Sequence, residues 1–146
     1  MCKVVALGKI IINKCMDLDY SVDNPAKIQK LLYFMQKSHL KQYNTPLFKK
    51  EAIIAAECGP SIIEVRNHFW THDIYLEGDE KHDVPLLGLL LDEEIETIDK
   101  IIAEHGKKSA LELMNLSKKE KAWVKTWGDG SIKNKPILHE TMKVEE

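Results

Sequence analysis

Apolar and polar positions divide the chain into helical stretches around one long central segment, residues 24–60. Its first half starts cleanly: Asn24 is a favourable N-cap, and Pro25 suits the first helical turn, where no N–H is needed. On a 3.6-residue wheel Ile28, Leu31, Leu32, Met35 and Tyr43 share one face, with His39 inside it. Tyr33, Phe34 and Leu40 fall off that stripe, so the helix is expected to bury more than one side. A helix over about residues 24–43 is therefore read as the centre of the fold.

The rest of the chain supplies shorter pieces. Val4, Leu7, Ile11 and Cys15 make a helical face over residues 4–16, although the run of three isoleucines also suits a strand. NTPLF after Tyr43 reads as a turn. The alanine-rich KKEAIIAAEC reads as a helix ended by Gly59-Pro60. Ser61 with Glu64 reads as a capping box for the helix IIEVRNHFW. Residues 71–88 are polar and weakly patterned, and are read as a short β-hairpin or a loop. Asp92 is expected to cap a helix carrying Ile95, Ile98 and Ile102, with acids in its first turn and Gly106 at its end. Ser109/Glu112 and Ser117/Glu120 are read as two further capping boxes, followed by a loop and a frayed tail over residues 128–146. The expectation is a mostly α, single-domain helical bundle spanning 1–146, built around a buried central helix.

Composition narrows the functional classes. In a chain of 146 residues, a net charge of −2 gives no global attraction to nucleic acid or anionic membrane. The lysine pairs (Lys49-Lys50, Lys107-Lys108 and Lys118-Lys119) are read as solvated surface. Three widely spaced cysteines without a CxxC pair argue against a disulfide framework or zinc knuckle, and for a reducing cytoplasm. The apolar N-terminal stretch is broken by Lys9, Asn13 and Lys14, and no apolar run approaches the roughly 20 residues a bilayer requires.

Several residues invite a chemical reading. His68 and His72 are spaced i, i+4, as metal ligands on one helix face would be, with Asp73, His82 or Asp83 as a third ligand. This defines an alternative, a metal-dependent hydrolase. The plainer reading is polar residues around a turn. His139-Glu140 opens a zinc-protease pattern, but the second histidine would fall at Lys143, so the set is incomplete. Cys58 and His39 as a nucleophile–base pair lack an orienting third group. Cys58 reads better as a buried small hydrophobe, and His39 as a hydrogen-bonded core histidine. A second alternative is a DNA-binding regulator, with residues 52–58 and 62–70 as a helix-turn-helix, although the second helix has no cluster for phosphates. Trp70, Trp123 and Trp127 are core or interface anchors, the last two at i, i+4 on a lysine-rich helix.

The stretches KIQKLLYFMQKSHL, PLF and AAECGPSIIEVRNHF together resemble the Panacea domain of SocA-like antitoxins and phage-associated proteins. Lys27, Lys30, Leu31, Leu32, Tyr33, Gln36, His39 and Leu40 match the family's helix, and Pro46, Leu47 and Phe48 its turn. Gly59, Pro60, Glu64 and Val65 match the middle; Ser109, Leu113 and Trp123 match the end. The likeness runs over about residues 24–127. It departs at Ile28, at AAEC in place of an aromatic-containing segment, and at Ser117-Lys118 in place of threonine-histidine. The resemblance implies a cytoplasmic binding protein with no cofactor and no chemistry of its own. Its partner would be a cognate toxin, neutralised by direct contact, or a protease that it serves as an adaptor. Tyr33, Gln36, Trp123 and Trp127 are the candidate contact residues, and Lys30, His39, Gly59 and Pro60 structural positions. For Tyr33 and Gln36 the alternative stays open that one is packed and the other caps a neighbouring backbone group.

Overall fold

In a computed structural model, residues 2–71, 84 and 87–144 are described, the side chains of Thr71 and Leu87 excepted. The central helix, α2, runs over Pro25–Tyr43. The Asn24 side chain accepts from the Ala26 N–H at 2.8 Å, and Pro25 occupies the first turn. Asn44 ends the helix in the left-handed conformation, its N–H returned to the Leu40 carbonyl at 2.9 Å. Ile28, Leu31, Leu32, Tyr33 and Met35 are all completely buried, on more than one side of the helix. The two-sided burial follows from the neighbours: α1 (Lys3–Asp17), α3 (Ile63–Thr71), α4 (Asp92–His105), α5 (Ala110–Ser117) and α7 (His139–Lys143) all pack on α2. One apolar core runs from Val4 in α1 to Met142 in α7. The architecture is mostly α with a small antiparallel sheet.

The sheet lies where alanine-rich sequence predicts helix. Strand β1 (Ile54–Ala56) pairs with β2 (Gly59–Ser61) through a two-residue turn, in the register Ile54 to Ser61 and Ala56 to Gly59. On its other edge β1 pairs with β3 (Lys135–Pro136). Alanine's helix preference is worth only tenths of a kcal/mol per residue, and tertiary contacts override it. Ile53, Ile54 and Ala55 are buried, and Trp123 Nε1 donates to the Ala56 carbonyl at 2.9 Å. Gly59 has φ +106°, and a Cβ there would meet Ser117 Oγ at 2.8 Å, so glycine serves a strand start against α5 and not a helix cap. The hairpin expected near 71–88 falls mostly outside the described residues, which include only a 3₁₀ turn at Leu87–Leu89 in its second half.

Three caps also differ from the sequence reading. Ser61 belongs to β2, its hydroxyl donating to the Gly59 carbonyl, and the Ile62 N–H is taken by Gln29 Oε1 of α2 at 2.9 Å. Leu91, not Asp92, is the residue before α4, with its N–H on the Glu94 carboxylate at 2.9 Å. Ser117 ends α5, and Glu120 precedes the remaining helix, α6 (Lys121–Trp127). Ser109 and Glu112 do form the reciprocal box ahead of α5. In the segment read as a frayed tail, α7 docks on the core through Met142, which is 1 % exposed. No helix among the described residues is long and apolar enough to cross a membrane.

Candidate interaction surface

Polar side chains of α2 are spent inside the molecule. Lys27 Nζ donates to the carbonyls of Ser21 (2.6 Å) and Gly106 (2.7 Å), joining the chain before α2 to the end of α4. Lys30 Nζ donates to the Pro60 carbonyl at 2.9 Å, fastening the hairpin. Burial pulls the Lys30 ammonium down from the usual 10.5 to about 8; nearby Cys58 opposes that shift and Lys118 adds to it. Gln36 is fully buried. Its Oε1 accepts from the N–H groups of Leu47 (2.7 Å) and Phe48 (3.2 Å), and its Nε2 donates to the Phe48 carbonyl at 2.7 Å. It therefore holds the PLF turn in peptide-like fashion.

His39 closes the set. His39 Nδ1 and Thr97 Oγ1 lie 2.8 Å apart, and the Thr97 hydroxyl is also within 3.1 Å of the Glu93 carbonyl. Burial also holds the ring below its usual pKa, despite the nearby carboxylates of Glu94 and Glu93. Burial thus favours the neutral ring. Cys58 sits exposed in the hairpin turn, not buried as expected, while His39 is committed to α4.

The same pattern bears on the two readings of Tyr33 and Gln36. Tyr33 has no exposed surface, and its hydroxyl donates to Glu120 Oε1 at 3.0 Å. Lys37 Nζ reaches the same oxygen at 2.5 Å. In this arrangement Tyr33 is packed and Gln36 caps backbone, and both lie inside the protein.

Trp123 and Trp127 stack near the surface. Trp123 is 7 % exposed and anchored on β1 through its indole N–H. Trp127, half-buried, stacks on it with centroids 5.4 Å apart and planes at 13°. Lys118 Nζ lies 5.6 Å from the Trp123 centroid, and Lys133 Nζ 4.7 Å from that of Trp127. Gly130 (φ +78°) closes on the same ring: a Cβ there would meet the Trp127 side chain at 2.9 Å. Beside the stack, Val124 and Ile132 are exposed.

Charge is concentrated in this region too. Residues 118–135 hold six lysines against two acids, a local balance of +4 in a chain of −2. Both acids have internal partners, Glu120 in Tyr33 and Lys37, and Asp129 in the Ser131 N–H at 2.9 Å. Reading the lysines as dispersed pairs missed this; a running charge sum would have found it. The arrangement offers an aromatic edge flanked by cations, a surface suited to an apolar-and-acidic counterpart.

A family model described as "Antitoxin SocA-like, Panacea domain" matches residues 28–124. The chain belongs to this family. No curated protein and no solved structure matches it. Within the Panacea match, Lys30, Tyr33, Gln36, His39, Gly59 and Pro60 are the residues that join α2 to the hairpin, the PLF turn, α4 and the α5–α6 junction. Trp127 and Lys133 lie beyond the end of the match.

The alternatives fare differently. The helix-turn-helix is not formed, because residues 54–61 are a hairpin and α3 follows a strand. His68 is half-buried on α3 with its ring against Phe69, centroids 5.0 Å apart. His72, Asp73, His82 and Asp83 lie outside the described residues. Among the described residues no three His, Cys, Asp or Glu side chains are grouped to hold a metal ion.

Proposed function

We propose that this protein is an antitoxin that neutralises a toxin protein by direct contact, by occupancy and without chemistry of its own, in the cytoplasm. Membership of the antitoxin family carries the class of function. The contact site is the α6 face, with Trp127 as anchor, Val124 and Ile132 beside it and the surrounding lysines as steering charge. The observation behind that choice is the contrast in side-chain use: Lys27, Lys30, Gln36 and His39 of α2 are consumed internally, whereas Trp127 and its flanking lysines stay accessible. An aromatic anchor within a ring of charge is the usual make-up of an interface hot spot. The local +4 balance selects a partner with an acidic contact segment.

The test is rescue and co-purification. The neighbouring gene is induced alone and together with this one, and growth and complex formation are followed. Growth arrest relieved by this chain, with a stable complex weakened by raised salt, is the expected result. A complex that forms equally well with Trp127→Ala would remove the α6 face from the proposal. A harmless neighbour with no complex would remove that neighbour as the toxin. Binding to duplex DNA, with no protein complex, would replace the reading with a regulatory one.

A further inference from the structure

A cavity of about 670 Å³ lies away from α6, between α1, the end of α2, the turn at residues 45–51 and the start of α4. Sites for small molecules typically enclose roughly 300–1,000 Å³ with mostly apolar walls and a few polar groups. Leu7, Ile10 and Phe48 supply apolar wall here. Three carboxylates, Glu51, Glu93 and Glu94, are among its polar groups. Glu51 lines the cavity at only 7 % exposure, and its Oε1 is buried with no hydrogen-bond partner among the described residues. Glu93 lines it as well, and so does His39.

Several donors of the cavity wall are already used. Lys3 is paired with Glu94 at 2.7 Å, and the N–H groups of Leu47 and Phe48 are held by Gln36. Lys49 and Lys50 are exposed at its edge. A buried carboxylate oxygen without a donor is costly, and a carboxylate is satisfied best by a charged N–H group. We infer that this cavity binds a small molecule with an apolar body and a protonated amine or guanidine head, the head meeting Glu51. The site is separate from the α6 face and stands whether or not that face binds a toxin.

Three probes on one indole scaffold test the inference: tryptamine, tryptophol and indole-3-propionate, titrated into the isotope-labelled full chain and followed by amide NMR. The expected order of affinity is amine, then alcohol, then carboxylate, with saturable shifts at Leu7 and Phe48. Glu51→Gln weakens tryptamine about tenfold, the scale of one hydrogen bond to a charged group, and leaves tryptophol unchanged. Leu90→Trp, which enlarges a half-buried wall residue, weakens all three and serves as the deciding variant should Glu51→Gln fold poorly. Equal affinity for the three head groups overturns the inference. So do unchanged binding in either folded variant and shifts confined to Trp123 and Trp127.

Discussion

Helices α2 and α6 use the same residue types to opposite ends. Each carries lysines and large aromatics, yet on α2 Lys27, Lys30 and Tyr33 are buried and bonded to carbonyls or a carboxylate from other segments. On α6 and its flanks, the lysines lie over indole rings or in solvent. The difference is one of environment. A cation shut inside must find oxygen acceptors, because desolvation otherwise penalises it. A cation at the surface can rest on a ring face and still meet a partner. The family match covers α2 entirely but for its first three residues and stops within α6. What the family shares is thus largely the means of assembling the fold, while the surface available for contact extends past it.

If the polar residues of α2 are fasteners, removing Gln36 should cause the largest loss. Gln36→Leu keeps the volume but strands two N–H groups and one carbonyl in the PLF turn. At about 1–3 kcal/mol for each buried group left unpaired, with some relaxation, the expected loss is roughly 3–5 kcal/mol. Urea unfolding followed by circular dichroism measures it. A loss below about 1 kcal/mol would mean that the turn is held by its own packing.

Lys30 tests the same idea through pH. Its folded pKa, about 8, is lower than the unfolded value of 10.5. Between those values the unfolded chain binds more protons, so stability rises with pH across that window. Below about pH 8 the burial penalty is present in full; above 10.5 it is gone. The ceiling on the change is about 3 kcal/mol. Lys30→Met removes the titration, so the stability difference between wild type and variant should move in favour of wild type from pH 8 to 10.5. Parallel stability curves would show that the ammonium is better solvated than its burial implies.

A smaller effect is expected at the junction of α5 and α6. Tyr33→Phe deletes one hydrogen bond to Glu120 while Lys37 continues to hold that carboxylate. The cost should be about 1 kcal/mol in thermal unfolding. A loss above about 3 kcal/mol would mean that the Tyr33 hydroxyl, and not packing, fixes the junction.

How much of this was legible in the sequence depended on whether the signal was local. The start of α2 was readable because Asn24-Pro25 caps through its own neighbours, and the Ser109/Glu112 box for the same reason. The strand at Ile54–Ala56 was not, because its determinants lie far along the chain, in Trp123, Lys30 and β3. Gly59 was read as a helix cap since glycine marks both a helix end and a tight turn; only Ser117 against its Cα separates the two. At the candidate surface, the i, i+4 spacing of Trp123 and Trp127 was visible, but the burial of Tyr33 and Gln36 needed the fold. So did the cavity beside Glu51, whose walls come from three separate segments, residues 2–10, 39–51 and 89–94.

The smallest expected change in stability separates the two helices most clearly. Trp127 is half-buried, and its ring is stacked on Trp123, which β1 holds independently. Trp127→Ala should therefore lose only the outer member of an aromatic pair, about 0.5–1 kcal/mol, with the fold and the Trp123 anchor kept. If the α6 face is the contact site, the same variant loses at least about 2 kcal/mol of binding to the toxin, as removal of an interface anchor does. Chemical unfolding and calorimetry of the complex give the two numbers. A variant that unfolds readily would make Trp127 a fastener like Tyr33, and the contrast between the helices would fail. A stable variant with unchanged affinity would leave the contrast in packing intact but move the binding site elsewhere.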